Sequence, residues 1–131
     1  MSRRQIREHI FKMLFRVEFN SPEDMPEQVR LYMEELPDIS EKDAGHIQKK
    51  YDDIIARLPE IDKMIEDKAE SWNISRMGKV DLTIIRLAVY EIKYDDTIPV
   101  SVAINEAVEI AKRFGQDESP SFVNGVLAKM A

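Results

Sequence analysis

The 131-residue chain is long enough to bury the core of one domain, and its lack of cysteine excludes disulfides and thiolate metal sites. Apolar residues make up 44% of the sequence and charged residues 34%, a balance typical of a soluble globular protein. No apolar run resembles a signal peptide or is long enough to cross a bilayer, so we expect a cytoplasmic protein without membrane contact.

The net charge of −6 is distributed unevenly along the chain. Residues 1–17 carry five basic side chains and one acidic one, whereas residues 21–71 carry fifteen acidic and seven basic side chains. A basic end on an acidic body is typical of a protein that binds a polyanion through that end.

The first half of the chain has the pattern of three amphipathic helices. Apolar residues recur at helical spacing from Arg3 to Phe19, and the basic residues lie off this stripe. The segment 21–24 joins a capping serine, a proline and two acids, which predicts a second helix that runs to about Leu36. Ser40 and the acids after it predict a third helix with a stripe of Ala44, Ile47, Tyr51, Ile54, Ile55 and Leu58.

Pro59 breaks or kinks this third helix, so we place a boundary between two helical subdomains there, with residues 1–58 before it and residues 59–131 after it. A fourth helix follows, and Trp72 closes that segment. The stripe of the fourth helix is Ile61, Met64, Ile65 and Ala69.

The stretch from Lys79 to Tyr94 is apolar on nearly every side, which predicts a central helix that other helices cover. It carries Arg86 and Glu91 among its apolar residues. A buried charge must be paired, so we expect Arg86 to be largely buried beside a carboxylate, with Glu106 as first choice and Glu91 as second.

Two further helices complete the predicted fold. Pro99 opens a sixth helix, whose small residues Ala103, Ala107 and Ala111 would allow close helix packing, and Gly115 ends it. Ser119 and Pro120 start a seventh, in which Gly125 suggests close approach of another group to its backbone. The sequence therefore predicts an all-α protein of about seven helices in two packed bundles.

Residue patterns give little support to catalysis. His9 and His46 have no acid at metal-ligand spacing and are expected to be solvated. No glycine-rich phosphate loop is present, and Glu106 and Glu109 lack a companion base. We expect neither an enzyme, nor a metal site, nor a cofactor.

Two segments are better candidates for binding. Arg3, Arg4 and Arg7 are cations at a helix start, where they oppose the helix dipole, and a phosphate contact would relieve that cost. The turn from Phe114 to Phe122 offers polar side chains beside Phe122, which is either part of the core or a platform on which a base stacks.

Four blocks of the sequence resemble the NusB family of transcription antitermination factors. They are RRQIRE (3–8), IRLAVYEI (85–92), IPVSVAINEAVEIAKRFG (98–115) and SFVNGVLAKM (121–130), in this order. The resemblance implies an all-α fold with two three-helix subdomains. It also implies binding of boxA RNA together with NusE, a small-subunit ribosomal protein, within an RNA polymerase complex that contains other Nus factors. Such a complex suppresses premature termination, notably on ribosomal RNA operons.

The resemblance assigns roles by position. Arg3, Arg4 and Arg7 correspond to the arginine-rich RNA-binding motif, and a second RNA surface corresponds to Phe114, Gln116, Glu118, Ser119 and Phe122. Phe15 and Asp81 fall where the family contacts NusE. Gln5 interrupts the arginine run and Ser121 replaces a frequent lysine, so we expect weak RNA binding without NusE.

The alternative is a helical protein-interaction module with no RNA role, which would bind a partner helix through exposed apolar residues such as Phe15 and Phe19. Steep loss of affinity with salt would distinguish phosphate contacts from an apolar contact. The patterns are compatible with either a monomer or a homodimer.

Overall fold

The computed structural model describes residues 1–68 and 73–131, so the predicted roles of Ala69 and Trp72 lie outside the described residues. The described residues form seven α-helices and no strand, which confirms the all-α prediction. None of these helices has the length and apolarity needed to cross a membrane. The helices are α1 (Arg3–Phe15), α2 (Met25–Glu34), α3 (Glu41–Ala56), α4 (Leu58–Lys68), α5 (Lys79–Tyr94), α6 (Val100–Phe114) and α7 (Ser119–Ala128).

Two compact units make up the chain, Met1–Ile55 and Ala56–Ala131. The break between α3 and α4 falls at Arg57, so Pro59 occupies the second position of a new helix. The missing N–H of a proline is tolerated there, because the first N–H groups of a helix have no partner within the helix.

In the first unit, α1, α2 and α3 each bury one face, and the prediction for α2 needs correction. Pro22 does not open the helix: the N–H of Asp24 donates to the carbonyl of Ser21 in a separate turn, and α2 begins at Met25. A helix from Pro22 would place Pro26 at an interior position that must donate a hydrogen bond. Pro26 instead lies in the first turn of the real helix. The first helix ends at Phe15, earlier than the predicted Phe19, and a 3-10 turn follows over Arg16–Glu18.

In the second unit, α5 has the predicted bounds and is covered by α4, α6 and α7. Its buried residues are Leu82, Thr83, Ile84, Ile85, Leu87, Ala88, Val89, Tyr90 and Glu91. Ala103, Ala107 and Ala111 are buried on α6, which packs against α5 and α7. The row of small side chains therefore allows the close packing predicted from the sequence.

Arg86 is paired with Asp62 of α4. Its Nε and Nη2 atoms donate to the two carboxylate oxygens at 2.8 and 2.9 Å, and its side chain is 12% exposed. The expectation of a largely buried arginine beside a carboxylate of a neighbouring helix is met. Asp62 was not among the carboxylates predicted for this role, Glu106 and Glu91, because its position opposite Arg86 depends on how α4 packs on α5.

We expect Asp62→Ala to lower the free energy of unfolding by about 2 kcal/mol, because it removes the carboxylate that accepts two hydrogen bonds from a largely buried cation. Arg86→Met should cost less, since the Asp62 side chain is 28% exposed and water can reach it. Urea unfolding of both variants measures the difference. A larger loss in Arg86→Met would contradict this account of the pair.

Gly115 and Gly125 differ in the space around them. A Cβ at Gly115 would lie 2.5 Å from Ser119 Cβ and 2.8 Å from the Ala111 carbonyl oxygen. A Cβ at Gly125 would meet no described neighbour within 4 Å, so the predicted close approach at Gly125 is wrong for this chain by itself.

The two glycines should therefore respond in opposite directions to alanine. Gly125→Ala should raise the free energy of unfolding by about 0.5–1 kcal/mol, because glycine is a poor helix former. Gly115→Ala should lower it by about 1–3 kcal/mol through overpacking. Thermal unfolding followed by circular dichroism measures both changes, and a shift of the same sign in both variants would refute the assignment.

Candidate nucleic-acid interface

The start of α1 is held by a reciprocal pair of hydrogen bonds between Ser2 and Gln5. The Gln5 N–H donates to Ser2 Oγ at 3.1 Å, and the Ser2 N–H donates to Gln5 Oε1 at 2.9 Å. This capping box fixes the first turn that carries Arg3 and Arg4. Gln5 therefore has a structural task at the position where it interrupts the arginine run.

The three arginines of α1 are not equivalent. Arg3 and Arg4 are exposed, whereas Arg7 is only 7% exposed. The expectation that all three lie off the apolar stripe is wrong for Arg7, because Phe11 is buried and extends the stripe to that side. Arg7 shares a helix face with Phe11, and its aliphatic stem can pack there.

Electrostatics at this helix end favours an anion. The first turn of α1 holds no acidic residue, so Arg3 and Arg4 add their charge to the positive end of the helix dipole. The predicted arrangement of cations at a helix start is thus present at Arg3 and Arg4, and both side chains are exposed.

The second candidate surface lies where α6 ends and α7 begins. Gln116 and Glu118 are exposed, and Phe114 and Phe122 are half-buried. Ser119 is 4% exposed, and its Oγ accepts the Gln116 N–H at 2.9 Å. Ser119 therefore shapes the turn that presents the other four residues, and Gly115 gives it room to do so.

Arg113 is a residue of this surface that sequence reasoning missed. Its guanidinium lies 5.3 Å from the centre of the Phe114 ring. The sequence does contain a pattern that could have predicted it, because Arg113 is a basic residue in the last turn of α6 directly before Phe114. The turn itself carries the acids Asp117 and Glu118. Arg113 adds a cation beside an aromatic ring at its start.

The predicted partner residues Phe15 and Asp81 belong to different units. In the first unit, Phe15 is half-buried between Phe11, at 6.2 Å, and Phe19, at 5.0 Å between ring centres. Phe19 is 60% exposed, which is unusual for a large apolar side chain. In the second unit, Asp81 is half-buried in the first turn of α5.

His9 is not solvated as expected, whereas His46 is exposed. His9 Nδ1 and the Tyr32 hydroxyl are 2.6 Å apart, and the Arg16 guanidinium lies 5.1 Å from the centre of the Tyr32 ring. Burial lowers the pKa of His9 and raises the pKa of Tyr32 to about 12. Across residues 1–68 and 73–131, no group of three potential ligand side chains could hold a metal ion.

The lowered pKa of His9 should make folding sensitive to acid. The unfolded chain takes up this proton near pH 6.5 more readily than the folded protein, so stability is lost as the pH falls from 6.5 through the folded pKa. His9→Gln should flatten the fall in unfolding free energy between about pH 7 and about pH 5, whereas His46→Gln should not. Urea titrations across this range provide the measurement, and parallel curves for all three proteins would contradict it.

Comparison with known proteins places these features in a family. Residues 4–131 match the NusB family. A protein of Agathobacter rectalis is 53% identical over 131 residues, the full length of both chains. A protein of Lachnoclostridium phytofermentans is 50% identical over 130 residues, 99% of this chain and 98% of that protein. Both relatives carry the name transcription antitermination protein NusB.

Solved structures show the same fold. NusB of T. maritima superposes with a TM-score of 0.89 at 36% identity, over 100% of this chain and 91% of that one. NusB from Aquifex aeolicus gives 0.84 at 25% identity, over 98% and 86%. A chain in a structure described as a plectonemic RNA supercoil gives 0.83 at 25% identity, over 98% and 92%.

Proposed function

Because this chain belongs to the NusB family, we propose that it is a transcription antitermination factor that binds boxA RNA together with NusE. The observation that carries the proposal is the match over full length to relatives named for this activity, at 50% and 53% identity. We propose that the resulting complex joins RNA polymerase and other Nus factors in the cytoplasm and prevents premature termination, notably on ribosomal RNA operons. The role requires binding and no catalysis.

For the RNA contact at α1, we propose that Arg3 and Arg4 bind phosphates. Both side chains are exposed at a capped helix start without an acid in its first turn. Forked guanidinium donors match phosphate oxygens in geometry and charge. Arg7 is buried, so its contribution to RNA binding acts through the position of α1.

For the second RNA contact, we propose the turn between α6 and α7. Phe114 and Phe122 are half-buried aromatic residues on which an unpaired base can stack, and Arg113 supplies a cation beside Phe114. Gln116 can both donate to and accept from base edges, whereas the Glu118 carboxylate can only accept hydrogen bonds, from base N–H groups or ribose hydroxyls. Ser119 acts by shaping the turn.

For NusE, we propose contacts with Phe15 and with Asp81. The exposed Phe19 ring stacks edge-on against Phe15 and enlarges the apolar surface of the first unit. The alternative function, a protein-interaction module without an RNA role, is favoured by this same pair of the half-buried Phe15 and the exposed Phe19. The two functions differ in whether boxA RNA is bound at all.

The direct test is titration of a boxA strand and a scrambled strand of equal length, with and without NusE. We expect weak binding of both strands by the protein alone, and tight binding of boxA only when NusE is present. Fluorescence anisotropy at one salt concentration gives the four dissociation constants, which are interpretable only at matched salt. Equal affinity for both strands in the presence of NusE would refute the proposal and favour the alternative.

Arg3→Ala/Arg4→Ala should weaken binding of every RNA sequence and flatten its salt dependence. The slope of log Kd against log salt should fall by roughly one unit for each lost phosphate contact. The control is Lys49→Ala/Lys63→Ala, which removes the same charge from exposed positions outside both surfaces. If the control lowers the slope as much, the arginines act only through net charge.

A further inference from the structure

A groove between α2 and α3 has no part in the functions proposed above. It is an open cavity of about 620 Å³ within the Met1–Ile55 unit. Its floor consists of the buried side chains of Met25, Val29 and Tyr51, which are 6%, 5% and 4% exposed. Met33 and Ile55 are half-buried at its walls, and Pro22 and Pro26 border it beside Met25.

Acidic side chains border the groove on both sides. Glu34 of α2 and Asp52 of α3 line it, and both are exposed. The cation in the lining, Arg30, is already engaged, because Glu27 and Glu34 both bind its guanidinium. Together, the four charged residues Glu27, Arg30, Glu34 and Asp52 leave two net negative charges around an apolar floor.

The surrounding sequence strengthens this field. Residues 21–55 contain ten acidic and four basic side chains. A nucleic acid would be repelled here, whereas a cationic partner would be attracted. Complementary charge at the rim of an interface sets the choice of partner and speeds association.

We propose that this groove binds an amphipathic helix of another protein, with apolar residues on one face and lysines or arginines along its edges. Helices dock in apolar grooves through residues spaced i, i+3, i+4 and i+7, and basic side chains at their edges would meet Glu34 and Asp52. The ten residues of α2 set a groove length of about 15 Å, enough for about three turns of a partner helix. Met25 and Met33 have flexible thioether side chains that adapt to apolar side chains of different shape.

The probe is a synthetic helical peptide with leucines at the i, i+3, i+4 and i+7 positions and lysines elsewhere. Its control is the same peptide with glutamate in place of lysine. The full-length protein carries ¹³C-labelled methionine methyl groups, and we expect the lysine peptide to shift the signals of Met25 and Met33. Met13, Met77 and Met130 are buried outside the groove lining and should not shift. Binding of both peptides with equal affinity, or shifts confined to other methionines, would overturn the proposal.

A pair of matched variants tests the acidic rim. Glu34→Lys/Asp52→Lys should weaken binding of the lysine peptide by about tenfold. Glu35→Lys/Asp53→Lys makes the same change of net charge at the neighbouring exposed positions and should weaken binding by less than about twofold. Circular dichroism checks that both variants remain helical. Equal losses would overturn the proposal, as would sedimentation showing a dimer that only the first variant dissociates, because the occupant would then be a second copy of this chain.

Discussion

The second unit depends on the burial of α5, a helix with almost no polar side. Such a helix is stable only when neighbours cover it, and α4, α6 and α7 do so. Because its surroundings are apolar, the charge of Arg86 must be paired, and both carboxylate oxygens of Asp62 accept hydrogen bonds from it. Because α6 and α7 both pack on α5, the junction between them is held by rigid helices. Such a junction can present side chains in fixed positions.

Several residues at the proposed sites support other residues instead of facing a ligand. Gln5 completes the cap of α1, Arg7 lies on the buried side of that helix, and the Ser119 hydroxyl closes the turn before α7. Gly115 leaves the room that Ser119 needs. If RNA binds as proposed, a substitution at any of these positions would alter binding through the geometry of Arg3, Arg4 or the aromatic rings, so loss of binding alone does not identify a contact residue.

Local signals in the sequence predicted local structure well and pairings across the fold poorly. The bounds of α5 follow from its continuous apolarity. The bounds of α6 and α7 follow from the proline at the start of each helix and the glycine between them. The start of α2 was misplaced because two prolines compete for one helix start. Asp62 and Tyr32 were not predicted as partners of Arg86 and His9, since each pairing spans more than twenty residues. Likewise, the sequence does not show that Arg3 and Arg4 are exposed whereas Arg7 is buried, because this difference depends on the burial of Phe11 beside Arg7.

The central claim is that this chain suppresses termination in response to boxA. In vitro transcription tests it on two templates that differ only in an intact or scrambled boxA upstream of a terminator. RNA polymerase, NusE and the other Nus factors are present throughout, and this protein is added or withheld. We predict that the protein increases read-through of the terminator on the intact template and not on the scrambled one. Equal read-through on both templates, or no change on adding the protein, would contradict the account.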